Sequence, residues 1–282
     1  METALSIGGF SLHLCGSGNL EMAMEIPGMR EFEQPSALPD MEVRLDSELS
    51  RPSCRLLHQF DIADGQALCR FGINPEGVYY YSFGNEGVLR YDERNPARVD
   101  ISTMHSPSLL RFALWTAYAM MGIRKGSTPV HSSVVVCNGQ AVMCLGESGT
   151  GKSTHTRLWL ENIHGTHLLN DDSPIVSLRN GEVRVYGSPW SGKTHCYLPE
   201  SHPIAGFLRL EQKPENSIRR IEKIEAFTAL QPSCPPALAK EERCMDLLVQ
   251  FVSDIIQRVP VYRMGCLPDA AAAQMSHNTI IG

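Results

Sequence analysis

Paired cysteines are missing from this chain. Its nine cysteines are scattered at positions 15, 54, 69, 137, 144, 196, 234, 244 and 266 without one C-x-x-C pair, so the spacing indicates neither a zinc site nor a disulfide framework. A basic surplus is missing as well. The formal net charge of -6 and a pI near 5.9 argue against a nucleic-acid binder or a protein of the membrane surface. The partners expected are small molecules or discrete protein sites. No apolar run approaches the ~20 residues that span a bilayer. The opening stretch METALSIGGFSLHL lacks the charged start and long apolar segment of a signal peptide, so a cytoplasmic protein is expected. His164 and His167 have metal-like spacing, but the sequence shows no other ligand cluster to support a metal there.

What the chain does have is length for a core and one dense motif. With 282 residues, 43% of them hydrophobic, it can form one large or two ordinary domains. Gly146 to Thr154 reads GESGTGKST and fits G-x-x-x-x-G-K-[ST] at every constrained position. Ala141 to Leu145 before it reads as a buried strand, and the residues after Lys152 read as a helix, which is the context the motif requires. Gly146, Gly149 and Gly151 let the backbone turn so that successive N–H groups face one concavity. The helix that starts near Lys152 adds its positive end there. The loop residues Gly146, Glu147, Ser148, Gly149, Thr150, Gly151, Lys152, Ser153 and Thr154 are therefore the expected nucleotide cradle. In it Lys152 reaches the terminal phosphates, and the Ser153 hydroxyl is placed to ligate Mg²⁺.

The stretch 1–105 reads as strands and turns, among them a strand over Leu5–Phe10 and a hairpin turning at Gly84–Gly87. It carries no nameable motif, and a scaffold or substrate-selecting region is expected. The second unit is expected over 106–282. It opens with a buried helix over Pro107–Met121, capped by Ser106 and stopped at Gly122, in which Trp115 and Tyr118 are read as core. Two Asn-Gly pairs, Asn138-Gly139 and Asn180-Gly181, predict hairpins. The first gives the motif strand an antiparallel sequence neighbour, unlike the parallel start of most enzymes with this loop. His131 begins that neighbour strand at the end near the loop, where it reads equally as a core histidine or a site residue. Asp171-Asp172 ends the strand that follows the motif helix. Of two such carboxylates one can hold Mg²⁺ while the other takes a hydroxyl proton. Gly187–Thr194 combines glycines, Trp190 and Lys193 and reads as a substrate or nucleotide clamp. Arg209, Arg219 and Arg220 are phosphate-binding candidates, though the last two read rather as a solvated face. A helix of about six turns is expected over Leu238–Val259, and a final one opens at Pro268-Asp269.

His131 on a hairpin strand, GESGTGKST entered from that hairpin, and Asn170-Asp171-Asp172 together resemble the catalytic domain of HPr kinase/phosphorylase. That family shares its P-loop fold with phosphoenolpyruvate carboxykinase. The likeness covers about Val130 to Cys266, and GTGKSTHTRLW with a PWSGK loop is similar to the serine-kinase-like branch. It implies a mixed α/β (α+β) domain behind a β-rich N-terminal region. It also implies an ATP- and Mg²⁺-dependent phosphotransferase acting on a hydroxyl of a small molecule or of a serine in a peptide or protein. Carried over by position, Asp171 is the general base, Ser153 and Asp172 the metal-associated pair, and Lys152 and His131 active-site groups; outside the resemblance, Lys193 is expected to steady the phosphoryl group in transfer. A homo-oligomer is left open. The downstream signature of phosphorylase activity is not found, nor is the full metal-ligand and arginine set of a carboxykinase. A nucleotide-binding regulator without transfer is the competing class, and a carboxykinase-like lyase a minor one.

Overall fold

A computed structural model describes residues 1–35, 38–50, 52–62, 67–192, 194–240 and 242–282. In chain order its strands and helices begin with β1 (Glu2–Ile7), β2 (Phe10–Cys15), α1 (Gly18–Glu25), β3 (Glu33–Gln34) and β4 (Met41–Arg44). Next come β5 (Arg55–Ile62), β6 (Ala67–Ile73), β7 (Tyr79–Phe83), β8 (Gly87–Tyr91), β9 (Arg98–Ile101) and α2 (Pro107–Gly122). The middle of the chain forms β10 (Ser127–Pro129), β11 (Ser132–Cys137), β12 (Gln140–Leu145), α3 (Lys152–Asn162), β13 (Thr166–Asp172), β14 (Ile175–Arg179) and β15 (Glu182–Tyr186). The chain ends with β16 (Ser201–Gln212), β17 (Ser217–Ile221), α4 (Lys223–Leu230), α5 (Glu242–Ile256), β18 (Val261–Cys266) and α6 (Ala270–Ile280). The protein is mixed α/β, built on two large mixed sheets. Among the described residues no helix is long and apolar enough to cross a membrane.

The first sheet has the order β3-β1-β2-β4-β9-β8-β7-β6-β5, and the second runs β10-β14-β15-β16-β12-β11-β13, with β18 and β17 added beside β16. Turn chemistry sets much of this. Asn138 and Gly139, and likewise Asn180 and Gly181, all have positive φ, the conformation that two-residue hairpins need to match strand twist. The motif strand β12 lies between antiparallel β11 and parallel β16. Its residues alternate between two cores: Ala141, Met143 and Leu145 face the larger one, which also holds residues of the first sheet, while Val142 and Cys144 face a smaller one with Trp159 of α3 and Ala272 of α6. A strand covered on both faces must be apolar along its buried length, and this one is from Ala141 to Leu145.

Three expectations are revised. Leu5–Phe10 is not one strand: Gly8 and Gly9, at positive φ, turn β1 into β2 with Ile7 opposite Phe10. Helix α2 starts at Pro107, with the Ser106 hydroxyl accepting from Leu109 N. It passes Gly122 into a 3₁₀ turn and stops at left-handed Gly126. The long C-terminal helix is shorter than its apolar pattern: a 3₁₀ turn over Pro236–Lys240 takes up its start, and α5 ends at Ile256.

Candidate active site

The site lies where β12, β11 and β13 end together. Strand β11 pairs with both neighbours, placing Ser132 opposite Leu145 on one side and opposite Asp172 on the other. The Gly146–Thr154 loop and the two aspartates therefore share one edge by register alone. Gly146, Gly149 and Gly151 all take positive φ, and a Cβ at Gly146 would collide with the Thr150 side chain. Lys152 opens α3 and curls back over the loop, with Nζ donating to Gly146 O at 2.8 Å and Glu147 O at 3.2 Å.

Lys152 Nζ also lies 3.0 Å from His131 Nε2, and His131 Nδ1 lies 3.2 Å from Asp172 Oδ1. An ammonium only donates, so Nε2 is the accepting nitrogen and the proton sits on Nδ1, directed at the carboxylate. Burial holds the Lys152 ammonium below its usual pKa, opposed by Asp172 and Asp171. The two carboxylates face different ways. Asp171, 8% exposed, accepts from Ser153 Oγ at 2.9 Å. The Asp172 side chain is 34% exposed and opens toward solvent. That hydroxyl–carboxylate pair is the donor set expected for Mg²⁺ beside a phosphate loop, so the residues present fit the ion.

The Gly187–Thr194 clamp is corrected in one respect. Trp190 is buried, 1% exposed, its ring 5.6 Å from that of Tyr118. The loop is stitched to β13: Asp172 bridges Ser191, Ser173 N donates to Trp190 O, and Gly192 N reaches Asp171 O at 2.7 Å. A Cβ at Gly192 would meet that same carbonyl at 2.7 Å, so glycine is what permits the approach. Lys193 lies outside the described residues. Arg209 sits opposite Leu145 and 3.7 Å from Glu147, at the loop. Arg219 and Arg220 lie on the solvated face expected of them, on β17, paired with Glu225 and Glu222.

Two clefts flank the loop. One, about 360 Å³, lies between α2 and the Pro232–Pro236 segment, with His131 and Asp172 in its wall. Arg111 of α2 spans it to donate to Ser191 O at 2.7 Å. The buried indole nitrogens of Trp115 and Trp190, both lining residues, have no hydrogen-bond partner among the described residues. Trp115, expected in the core, thus forms a cleft wall with Arg111; the i, i+4 spacing of a cation and an indole is the only sequence signal for it. The other cleft, about 400 Å³, lies between Gly149–Gly151, His155 and Leu158 on one side and Cys266–Pro268 on the other. His155, 2% exposed, has an Nδ1 without a partner among the described residues, and burial pulls its pKa down to about 4. Nothing in the sequence signals that the segment after β18 faces the loop.

No family model matches the chain, and no curated protein matches it. Among solved structures, that of the Hpr(Ser) kinase/phosphatase from Coxiella burnetii is similar over 54% of this chain and 87% of that one, at 12% identity and a TM-score of 0.32.

Proposed function

We propose that this chain is an ATP- and Mg²⁺-dependent kinase of the HPr-kinase-like kind, moving a γ-phosphoryl group to a hydroxyl of a small molecule or of a serine in a peptide or protein. The observation that carries the reading is the Lys152–His131–Asp172 chain set between two clefts at the mouth of the glycine loop. The cleft beside Leu158 and Cys266–Pro268 suits the nucleoside, the loop amides the phosphates, and the cleft beside Trp115 the acceptor.

The geometry favours exchanging the two carboxylate roles. Asp171, bonded to Ser153, stands with the metal pair; Asp172, open to the acceptor cleft and turned by His131, takes the proton. The acceptor oxygen attacks phosphorus as the β–γ bridging bond breaks, ADP leaves with the bridging oxygen, and the hydroxyl proton passes to the Asp172 carboxylate. Lys152 and the loop amides meet the charge on the phosphoryl oxygens. Bound Mg²⁺ would neutralise the phosphates. Arg111, Trp115 and Trp190 orient the acceptor and exclude water.

The test is to incubate the protein with ATP and a panel of polyols, hydroxy acids, amino acids and serine peptides, watching for a mass gain of one phosphate. Asp172→Asn should then lose about 10²–10³ in kcat with ATP affinity kept, whereas Asp171→Asn should shift the Mg²⁺ dependence. Nucleotide binding with equally negligible transfer in wild type and both variants would instead make the protein a nucleotide-binding regulator.

A further inference from the structure

At the far end of the same strands a second group of ligating side chains converges. His167 Nε2 lies 3.2 Å, and His202 Nε2 3.1 Å, from the same Glu200 oxygen, and the three ligand atoms lie within 4.8 Å of one another. Four ligands at ~2.05 Å around a tetrahedral zinc ion are separated by about 3.3 Å, so both nitrogen–oxygen distances match edges of that figure. The supports are rigid. His167 lies within β13, paired to Val136; His202 lies in β16, opposite Val185; and the Glu200 carbonyl is held by Gly187 N at 3.0 Å.

His202 Nδ1 faces Gly139 O at 3.3 Å, and a carbonyl only accepts, so Nδ1 carries the proton. Its Nε2 then faces a carboxylate, which also only accepts. A neutral imidazole has one proton for two acceptors; a second proton on Nε2 satisfies both as an ion pair, and a divalent cation between Nε2 and Oε2 does so with the ring neutral. The Nδ1–H to backbone carbonyl bond is also the outer contact that metal-bound histidines make.

We propose that His167, Glu200 and His202 bind a borderline divalent cation of the zinc type, as a structural pin separate from the phosphate site. Two imidazoles with one carboxylate suit zinc, cobalt or nickel, whereas magnesium and calcium prefer all-oxygen sets. The pin joins the starts of β13 and β16 and, through Gly139, the β11–β12 turn. It lies five residues along β13 from Asp172, about 17 Å at strand rise. Between them β13 shifts register against β11 at Val134/Val135, so the ion fixes β13 on the side of that bulge remote from the aspartates.

The experiment uses the untagged full chain, stripped with chelator and titrated with Zn²⁺ by calorimetry, then with Co²⁺ by visible absorption. One equivalent of Zn²⁺ should bind, Co²⁺ should give a tetrahedral ligand-field spectrum without the thiolate band of a cysteine site, and saturating zinc should raise the melting midpoint by about 5 °C. His167→Ala/His202→Ala should lose that equivalent and the midpoint rise, while Asp171→Asn/Asp172→Asn keeps both. Should the histidine variant fail to fold, Glu200→Gln serves, with at least a tenfold weaker affinity expected. Equal zinc binding in wild type and histidine variant, zinc lost only with the aspartate pair, or a cobalt spectrum dominated by thiolate would each overturn the proposal.

Discussion

The two ends of β11, β12 and β13 hold opposite chemistry, the far end completed by the start of β16. At the loop end, backbone amides, a half-buried ammonium and two carboxylates gather, one of them sealed by Ser153. At the hairpin end, His167 of β13 and His202 of β16 stand with the Glu200 carboxylate from just before β16, all partly exposed. The first arrangement suits a large anion that enters and leaves, because fixed N–H dipoles and one mobile cation bind it without shape change. The second suits one small cation that stays. Strands set the positions at both ends, and the connection after each strand, a glycine loop or an Asn-Gly turn, decides which chemistry can assemble there.

The sharpest way to break the comparison is at Lys152. Lys152→Ala should lower kcat/KM for phosphoryl transfer by about three orders of magnitude and leave zinc binding unchanged, measured on one preparation. A smaller effect is expected in the acceptor cleft. Trp115→Phe keeps an aromatic ring but removes, with the pyrrole part of the indole, a buried N–H that has no partner among the described residues. The KM of the acceptor should rise about tenfold, a lost hydrogen bond at 1–2 kcal/mol, with the KM of ATP constant.

A third test uses pH. His155 is buried neutral with its pKa pulled down to about 4, against ~6.5 in an unfolded chain. The unfolded state therefore binds the extra proton first. The contribution to stability is complete above pH 6.5 and is lost progressively as pH falls from 6.5 toward 4. The urea midpoint should drop through that window, and His155→Gln should flatten the drop. The smallest effect expected is at the other end: His167→Ala/His202→Ala should change the transfer rate less than about twofold at 25 °C, since the pin is ~17 Å of strand from Asp172.

Features fixed by local chemistry are readable in the sequence. Asn138-Gly139 and Asn180-Gly181 turn where their backbone freedom says they must, Ser106 caps α2, and the loop falls between strand and helix. Even the placing of Asp171-Asp172 beside the loop comes from one hairpin and one antiparallel return. What the sequence hides depends on packing across the chain. Trp190 reads as an exposed stacking platform because its neighbours are polar, yet Tyr118, more than seventy residues earlier, covers it. Glu200 and His202 join His167 only because β15 carries the chain back to β16, so the His164–His167 spacing points near the cluster but supplies just one member. The Gly8-Gly9 turn is legible as two glycines between apolar runs, and strand propensity over Leu5–Phe10 masks it.

That turn has a consequence for taking the protein apart. The hairpin it closes does not end in the first sheet's own territory. Tyr118 Oη reaches Ile7 O, Arg179 donates to Gly9 O at 2.8 Å, and the Phe10 ring lies under the Arg179 and Lys125 cations. A side chain at Gly8 would strike the Tyr118 hydroxyl. The opening residues thus act as a lid on the second half, and a fragment begun near residue 105 would bare Tyr118 and the apolar floor around it. Whoever wants the chemical half alone would have to carry the first hairpin along with it.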